Sequence, residues 1–281
     1  MGAKAPGFLT ILASCLVLSA AFGCGQRGSE KSVEKSNKRL EIAKDYLQKN
    51  DLEGAEGESN KAIALNPNND EAYMLRGLVS FVRVQQTKRT LDIDNCLTGV
   101  DAEATTKDLD MYLAKADQDF EKATKISPDF GEAWANRGIV HTIQEDYGAA
   151  VEYLTKALEN PMRLVNPSLT RAHLGWAYFY ENKLVEAAKE LRTALQFNPK
   201  MCVATYRLAR VYFARQEWEK AAESFEAVSG DATCGSQEAS YYLMKTRMQQ
   251  GLVSEAKNAL GACVKISQNS CIATKCRAEG P

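Results

Sequence analysis

The sequence predicts an all-α solenoid of about six helix-turn-helix repeats behind an N-terminal export segment, and three observations carry that expectation. Asn66-Pro67, Ser127-Pro128 and Asn198-Pro199 each close an Ala-rich helical pattern, as a residue without a backbone N–H must. Upstream of each proline an alanine pair recurs at the same two offsets: Ala55 and Ala62, Ala116 and Ala123, Ala187 and Ala194. A small residue flanked by large ones recurs early in four units, as Ala43, Gly77, Gly138 and Gly175. Self-similarity at a fixed period is the mark of a repeat architecture, in which each unit buries its apolar face only by stacking on the next.

The first element is an address. Lys4 supplies a positive start, and Phe8 to Phe22 is an apolar stretch too short and too rich in Ser and Ala to span a bilayer. It ends in Ala21-Phe22-Gly23-Cys24, followed by the polar run from Gly25 to Glu30. These residues resemble the lipobox of bacterial lipoproteins, with Ala21 where that family usually has Leu. The resemblance implies a signal peptide over 1–23 and lipidation of Cys24, and Gly25 after it implies the outer membrane. Leu12-Ala13-Ser14-Cys15 matches the local pattern too, but would leave an apolar run behind the lipid. Residues 24–35 have the composition of a flexible tether.

The repeat units then run over 36–69, 70–130, 131–164, 168–201, 202–236 and 237–270. They resemble the tetratricopeptide repeat (TPR) family. Trp134 and Tyr73 stand early in the first helix of a unit, Tyr46, Tyr178 and Tyr212 later, and Phe120 and Phe225 in the second helix. The resemblance implies a right-handed superhelix whose first helices line a concave face. The second unit is almost twice the usual length and carries an insert over 84–110; Ala102 to Ile126, free of Pro and Gly, reads as one long helix. The sixth unit departs most, with Met244 at the small position and Cys263 at the late Ala. TPR arrays usually end in a capping helix; here only the tail 271–281 follows, so the tail or a partner is expected to cover the last unit.

Six cysteines lie beyond the export segment: Cys96, Cys202, Cys234, Cys263, Cys271 and Cys276. An even number behind an export signal reads as disulfides, and the spacing fits no zinc pattern. Cys202 and Cys234 sit at successive inter-repeat junctions, which adjoin in a solenoid. Cys263 is expected to bond Cys271 or Cys276 and staple the tail. Cys96 has no evident partner unless the insert reaches far across the groove.

The inward positions of the first helices give Met74, Leu78, Phe81 and Val82 in the second unit and Ile139 and Ile143 in the third. The fourth unit gives Trp176, Phe179 and Tyr180, and the fifth Tyr206 and Phe213 with Arg210 between them. Tyr241, Lys245 and Met248 follow in the sixth. An exposed stripe of large apolar side chains marks a protein-binding site, with an apolar or amphipathic ligand. His141 holds a position usually taken by Tyr and reads as packing; His173 reads as exposed.

The bulk composition excludes other classes. A net charge of −1 supplies no basic face for nucleic acid. With two histidines and no phosphate loop, nucleophile elbow or metalloprotease motif, no enzyme, cofactor or metal is expected. Lipobox, tether, TPR units and disulfides together resemble the pilotin lipoproteins of type IV pilus assembly, which implies an outer-membrane secretin as partner. The alternative is a TPR lipoprotein adaptor that organises cell-wall enzymes or other envelope complexes.

Overall fold

The computed structural model describes the chain from Ser19 to Pro281, apart from residues 95, 232 and 235, and the side chains from Ser29 onward, apart from Asp94. Residues 1–18 of the expected signal peptide and the Cys24 thiol therefore lie outside what is described. Thirteen α-helices and no strand occur among those described.

Twelve of the helices pair as hairpins: α1 (Ser19–Gln48) with α2 (Leu52–Leu65), α3 (Asp70–Arg89) with α4 (Gly99–Ile126), and α5 (Gly131–Ile143) with α6 (Tyr147–Glu159). The later pairs are α7 (Pro167–Tyr180) with α8 (Leu184–Phe197), α9 (Cys202–Ala214) with α10 (Trp218–Ser229), and α11 (Gln237–Gln249) with α12 (Val253–Ile266). Each pair also packs on the next, so the core runs along the solenoid as a chain of clusters. The last helix, α13 (Cys271–Glu279), lies on α11 and α12.

Local sequence explains the hairpins. Asn50, Glu145, Asn182 and Gln216 turn the chain with φ between 57° and 64°, and Gly251 does so at 77°. Asp51 and Asp146 follow directly and cap the second helix, accepting from the backbone N–H of Gly54 and Ala149. The paired helices touch where the side chain is missing. A Cβ on Gly138 would lie 2.5 Å from Leu154 Cγ, and one on Gly175 2.7 Å from Leu191 Cγ. The recurring alanines Ala55, Ala62, Ala116, Ala123, Ala187 and Ala194 are all fully buried in the same seams.

The tether expectation needs correction. Residues 24–35 are helical, part of α1, and the Ser32 hydroxyl already donates to the Leu65 carbonyl at the foot of α2. From Ser29 on the stretch lacks Pro and Gly, is rich in Lys and Glu, and carries a Glu34–Lys38 pair one turn apart. Nothing there stops the helix, so it continues outward from the first unit.

The insert of the second unit is not a loop. It lengthens both helices, α3 to 20 residues against 13 in α5, which carries the arm roughly 10 Å beyond the solenoid. Its tip, a short π-helical turn at Thr90–Asp94 and the strap that follows, reaches the far end of the array. Cys96 N donates to Asn269 O at 3.0 Å, Ser267 Oγ donates to Ile93 O at 3.1 Å, and Cys96 bonds Cys271. The first helices of units two to six thus form an arc that the arm closes covalently.

The other bridges join Cys202 to Cys234 and Cys263 to Cys276. The tail itself is the capping helix: Ser270 caps α13, Cys276 and Ala273 are buried against the last unit, and Glu279 accepts from Tyr241 and Lys245.

Candidate functional site

The concave face holds a cavity of ≈ 660 Å³ walled by α3, α5, α7, α9 and the start of α11. Six of the residues assigned to the groove line it: Phe81, Ile139, Ile143, Trp176, Tyr180 and Tyr206. The aromatic ones form a continuous path. Tyr147 stacks on Tyr180 at 4.6 Å, Tyr180 meets Trp176 edge-on at 4.9 Å, and Trp176 lies 6.2 Å from Tyr206. Tyr180 is 45% exposed, whereas Tyr206 is 8% exposed, so the lining ranges from open to nearly core. Burial pushes the Tyr206 phenol well above its ordinary value, and its hydroxyl accepts from Arg210 Nη1 at 3.0 Å.

The remaining groove assignments fall elsewhere, for identifiable reasons. Met74 is buried and Leu78 half-buried in the cluster beneath the long α4, which covers that part of α3. Phe179 stacks flat on Trp176 at 4.8 Å and packs into the α8–α9 cluster. Phe213, near the end of α9, is held edge-on by Trp218 at 5.3 Å and Tyr242 at 5.5 Å. In the sixth unit α13 takes up Tyr241 and Lys245 through Glu279. Val82 is half-buried outside the cavity wall, and Met248 is 39% exposed.

The wall is also less apolar than the inward positions suggest. Lys88, Glu145, His173, Arg207 and Glu238 line it. His173 is half-buried rather than exposed, and burial with the nearby Arg207 charge holds its imidazole well below the ordinary value, hence neutral. Arg207 lies with its guanidinium 5.5 Å from the Trp176 ring, and burial pushes its pKa down to about 10. Both occupy the sixth position of their units, where the third unit has Asn136. That recurring polar residue is the sequence signal which a search for large apolar side chains passes over. His141 does more than pack: its two ring nitrogens lie 3.2 Å from Asp117 and 3.3 Å from Asp146.

Such a wall can bind and orient a polypeptide segment by apolar burial, aromatic contact and a few fixed charges. Among the described residues no group of three or more His, Cys, Asp or Glu is placed to hold a metal ion, and no helix is long and apolar enough to cross a membrane.

Residues 131–160 and 173–233 match family models of the tetratricopeptide repeat. Among solved structures, PilW, described as a widely conserved type IV pilus biogenesis factor, is similar with a TM-score of 0.66 at 18% identity, over 85% of this chain and 97% of PilW. PilF of Pseudomonas aeruginosa gives 0.65 at 15% identity, over 90% of this chain and 99% of PilF. YrrB, described as a TPR protein with an unusual peptide-binding site, gives 0.50 at 18% identity, over 78% and 97%. At these identities the likeness is one of fold. A sequence search of curated proteins finds no match.

Proposed function

We propose that this TPR solenoid is a pilotin: an outer-membrane lipoprotein, anchored through Cys24, whose concave cavity holds an apolar segment of a secretin protomer until the secretin ring assembles. The observation that carries the reading is the aromatic path Tyr147-Tyr180-Trp176-Tyr206 along the concave wall. The fold-level likeness to PilW, described as a type IV pilus biogenesis factor, and to PilF, over nearly the whole of those two chains, supports placing the role in pilus biogenesis.

The physical logic is simple. A segment destined for lipid must first stay soluble in water, and covering it recovers roughly 25 cal/mol per Å² of apolar surface. A lipid on Cys24 would hold carrier and cargo at the membrane and raise the cargo's effective concentration there. The role is binding, and no catalytic step is assigned to it.

Trp176→Ala with Tyr180→Ala tests the reading, because both side chains line the cavity and Tyr180 is exposed. The double variant is expected to keep its helical circular dichroism and melt close to wild type, yet fail to capture the secretin. If the folded variant still supports heat-resistant secretin multimers in cells, the pilotin reading is wrong. The anchor has its own test: Cys24→Ala should lose metabolic label from a palmitate analogue, and label retained there would refute lipidation at that site.

A further inference from the structure

We propose that Arg207 is an anion site in the wall of the concave cavity, and that the occupant is an apolar segment carrying one acidic side chain. The proposal rests on the groove reading above and specifies the chemistry of the segment.

The half-buried arginines elsewhere in the solenoid have carboxylate partners. Arg76 meets Asp119 at 2.6 Å, Arg83 meets Glu56 at 2.6 Å, Arg137 meets Asp117 at 2.9 Å, and Arg163 meets Asp70 at 2.7 Å. Arg207, in the cavity wall, and Arg210 differ. Arg207 Nη1 is buried with no hydrogen-bond partner, and its contact is with the face of Trp176. A second guanidinium, Arg210, lies 5.4 Å from the same ring, and it too is held by tyrosines rather than by a carboxylate. Two cations therefore flank one indole, and neither is hydrogen-bonded to a carboxylate; Glu238, in the same wall, acts on the Arg207 charge only from beyond ion-pair distance. A guanidinium removed from water favours an oxyanion strongly, since its fork matches a carboxylate and the low-polarity surroundings strengthen the pair. Although burial weakens its hold on the proton, Arg207 stays cationic at neutral pH.

The wall also fixes what kind of acid enters. The wall continues on both sides of Arg207: apolar at Phe81, Ile139 and Ile143 toward the early units, and through Cys234, Ser236 and Glu238 toward the late ones. An occupant that fills it runs past the cation in both directions, so the carboxylate belongs to a side chain and not to a chain end. Glu145 and Glu238 stand in the same wall and repel a second negative charge. A volume of ≈ 660 Å³ corresponds to about four to six residues of helix, enough for one acidic residue and its apolar neighbours.

The test is isothermal titration of the full-length protein with acetylated, amidated twelve-residue peptides of Leu and Ser whose central residue is Glu, Gln or Lys. The Glu peptide is expected to bind about ten-fold tighter than the Gln peptide, with the advantage shrinking as salt rises. Arg207→Met should abolish the advantage, so that the variant binds the Glu and Gln peptides alike, and it should melt no lower than wild type, because it removes an uncompensated charge. Equal binding of Glu and Gln peptides to the wild type overturns the anion site while leaving the groove reading intact. A Glu advantage that survives in Arg207→Met, or an Arg207→Met chain that does not fold, overturns it as well. A Gln peptide with a free C-terminal carboxylate that matches the Glu peptide overturns the side-chain assignment. If no peptide binds the wild type, the groove reading fails and the anion site with it.

Discussion

His141 bridges two carboxylates while His173 sits half-buried beside an arginine, and the two make opposite contributions to stability. The hydrogen bond to Asp117 raises the His141 pKa, against the opposing effect of burial. A folded value above the unfolded one, about 6.5, gives stability that is complete below about 6.5 and is lost as pH rises through the folded value. His173 is held well below its ordinary value by burial first and by Arg207 second. Its contribution is present above about 6.5 and is lost as pH falls toward its folded value. Burial pushes Asp117 up, yet the hydrogen bonds from His141 and Arg137 outweigh it and hold that carboxyl low, so its own effect lies at acid pH. These are the only two histidines of the chain. Melting temperature against pH from 5 to 8 should therefore peak near the ordinary histidine value. His141→Gln should flatten the alkaline limb alone, and His173→Gln the acid limb alone; a limb that survives its own variant sinks the assignment. Neither role was legible from sequence. Asp117 belongs to the preceding hairpin, and the burial of His173 depends on curvature that brings α9 beside α7, so neither neighbour stands near in the chain.

Glycines show most directly what the repeat spacing encodes. Gly77, Gly138 and Gly175 recur because three successive seams between paired helices leave no room for a side chain at that position, while the first and sixth units place Ala43 and Met244 there. That is why the hairpins could be read off the sequence: a contact between adjacent helices imprints a period. Gly175→Val should cost about 1–3 kcal/mol by overpacking against Leu191 and the Ala187 carbonyl. Gly57, inside α2, has nothing within 4 Å of its missing Cβ. Gly57→Ala should stabilise the chain by about 0.5–1 kcal/mol through helix propensity alone. Urea unfolding monitored by circular dichroism separates the two, and equal signs for both substitutions would contradict the seam argument. Elements without a seam were harder to read. The outer turns of α1 and the arm of α3 and α4 carry no repeating small residue, so composition alone suggested a tether for one and an insert of undefined path for the other.

At the scale of the molecule the decisive feature is the clasp between the arm and the C-terminal cap. An open solenoid is stabilised by nearest-neighbour interfaces, so its end units fray first. Here the arm of the second unit is bonded to the end of the array through Cys96–Cys271, and the closed segment spans a sequence separation of 175. The Cys202–Cys234 junction could be reasoned from adjacency of repeats, whereas Cys96 could not, since its partner is set by how far the superhelix curves before the arm meets it. Chain-entropy arguments assign about 5 kcal/mol to a loop as long as the clasp and about 3 kcal/mol to the Cys263–Cys276 loop, with its separation of 13. Cys96→Ser with Cys271→Ser should therefore lower the melting temperature more than Cys263→Ser with Cys276→Ser. The loss should also be local. Hydrogen exchange is expected to speed up first at the arm tip and in α13, while α5 to α8, each flanked by intact neighbours, keep their protection. Uniform loss of protection along the solenoid would mean that the clasp does not act at the ends. No loss at the arm tip would mean that the hydrogen bonds from Cys96 to Asn269 and from Ser267 to Ile93 hold the closure without the covalent bond.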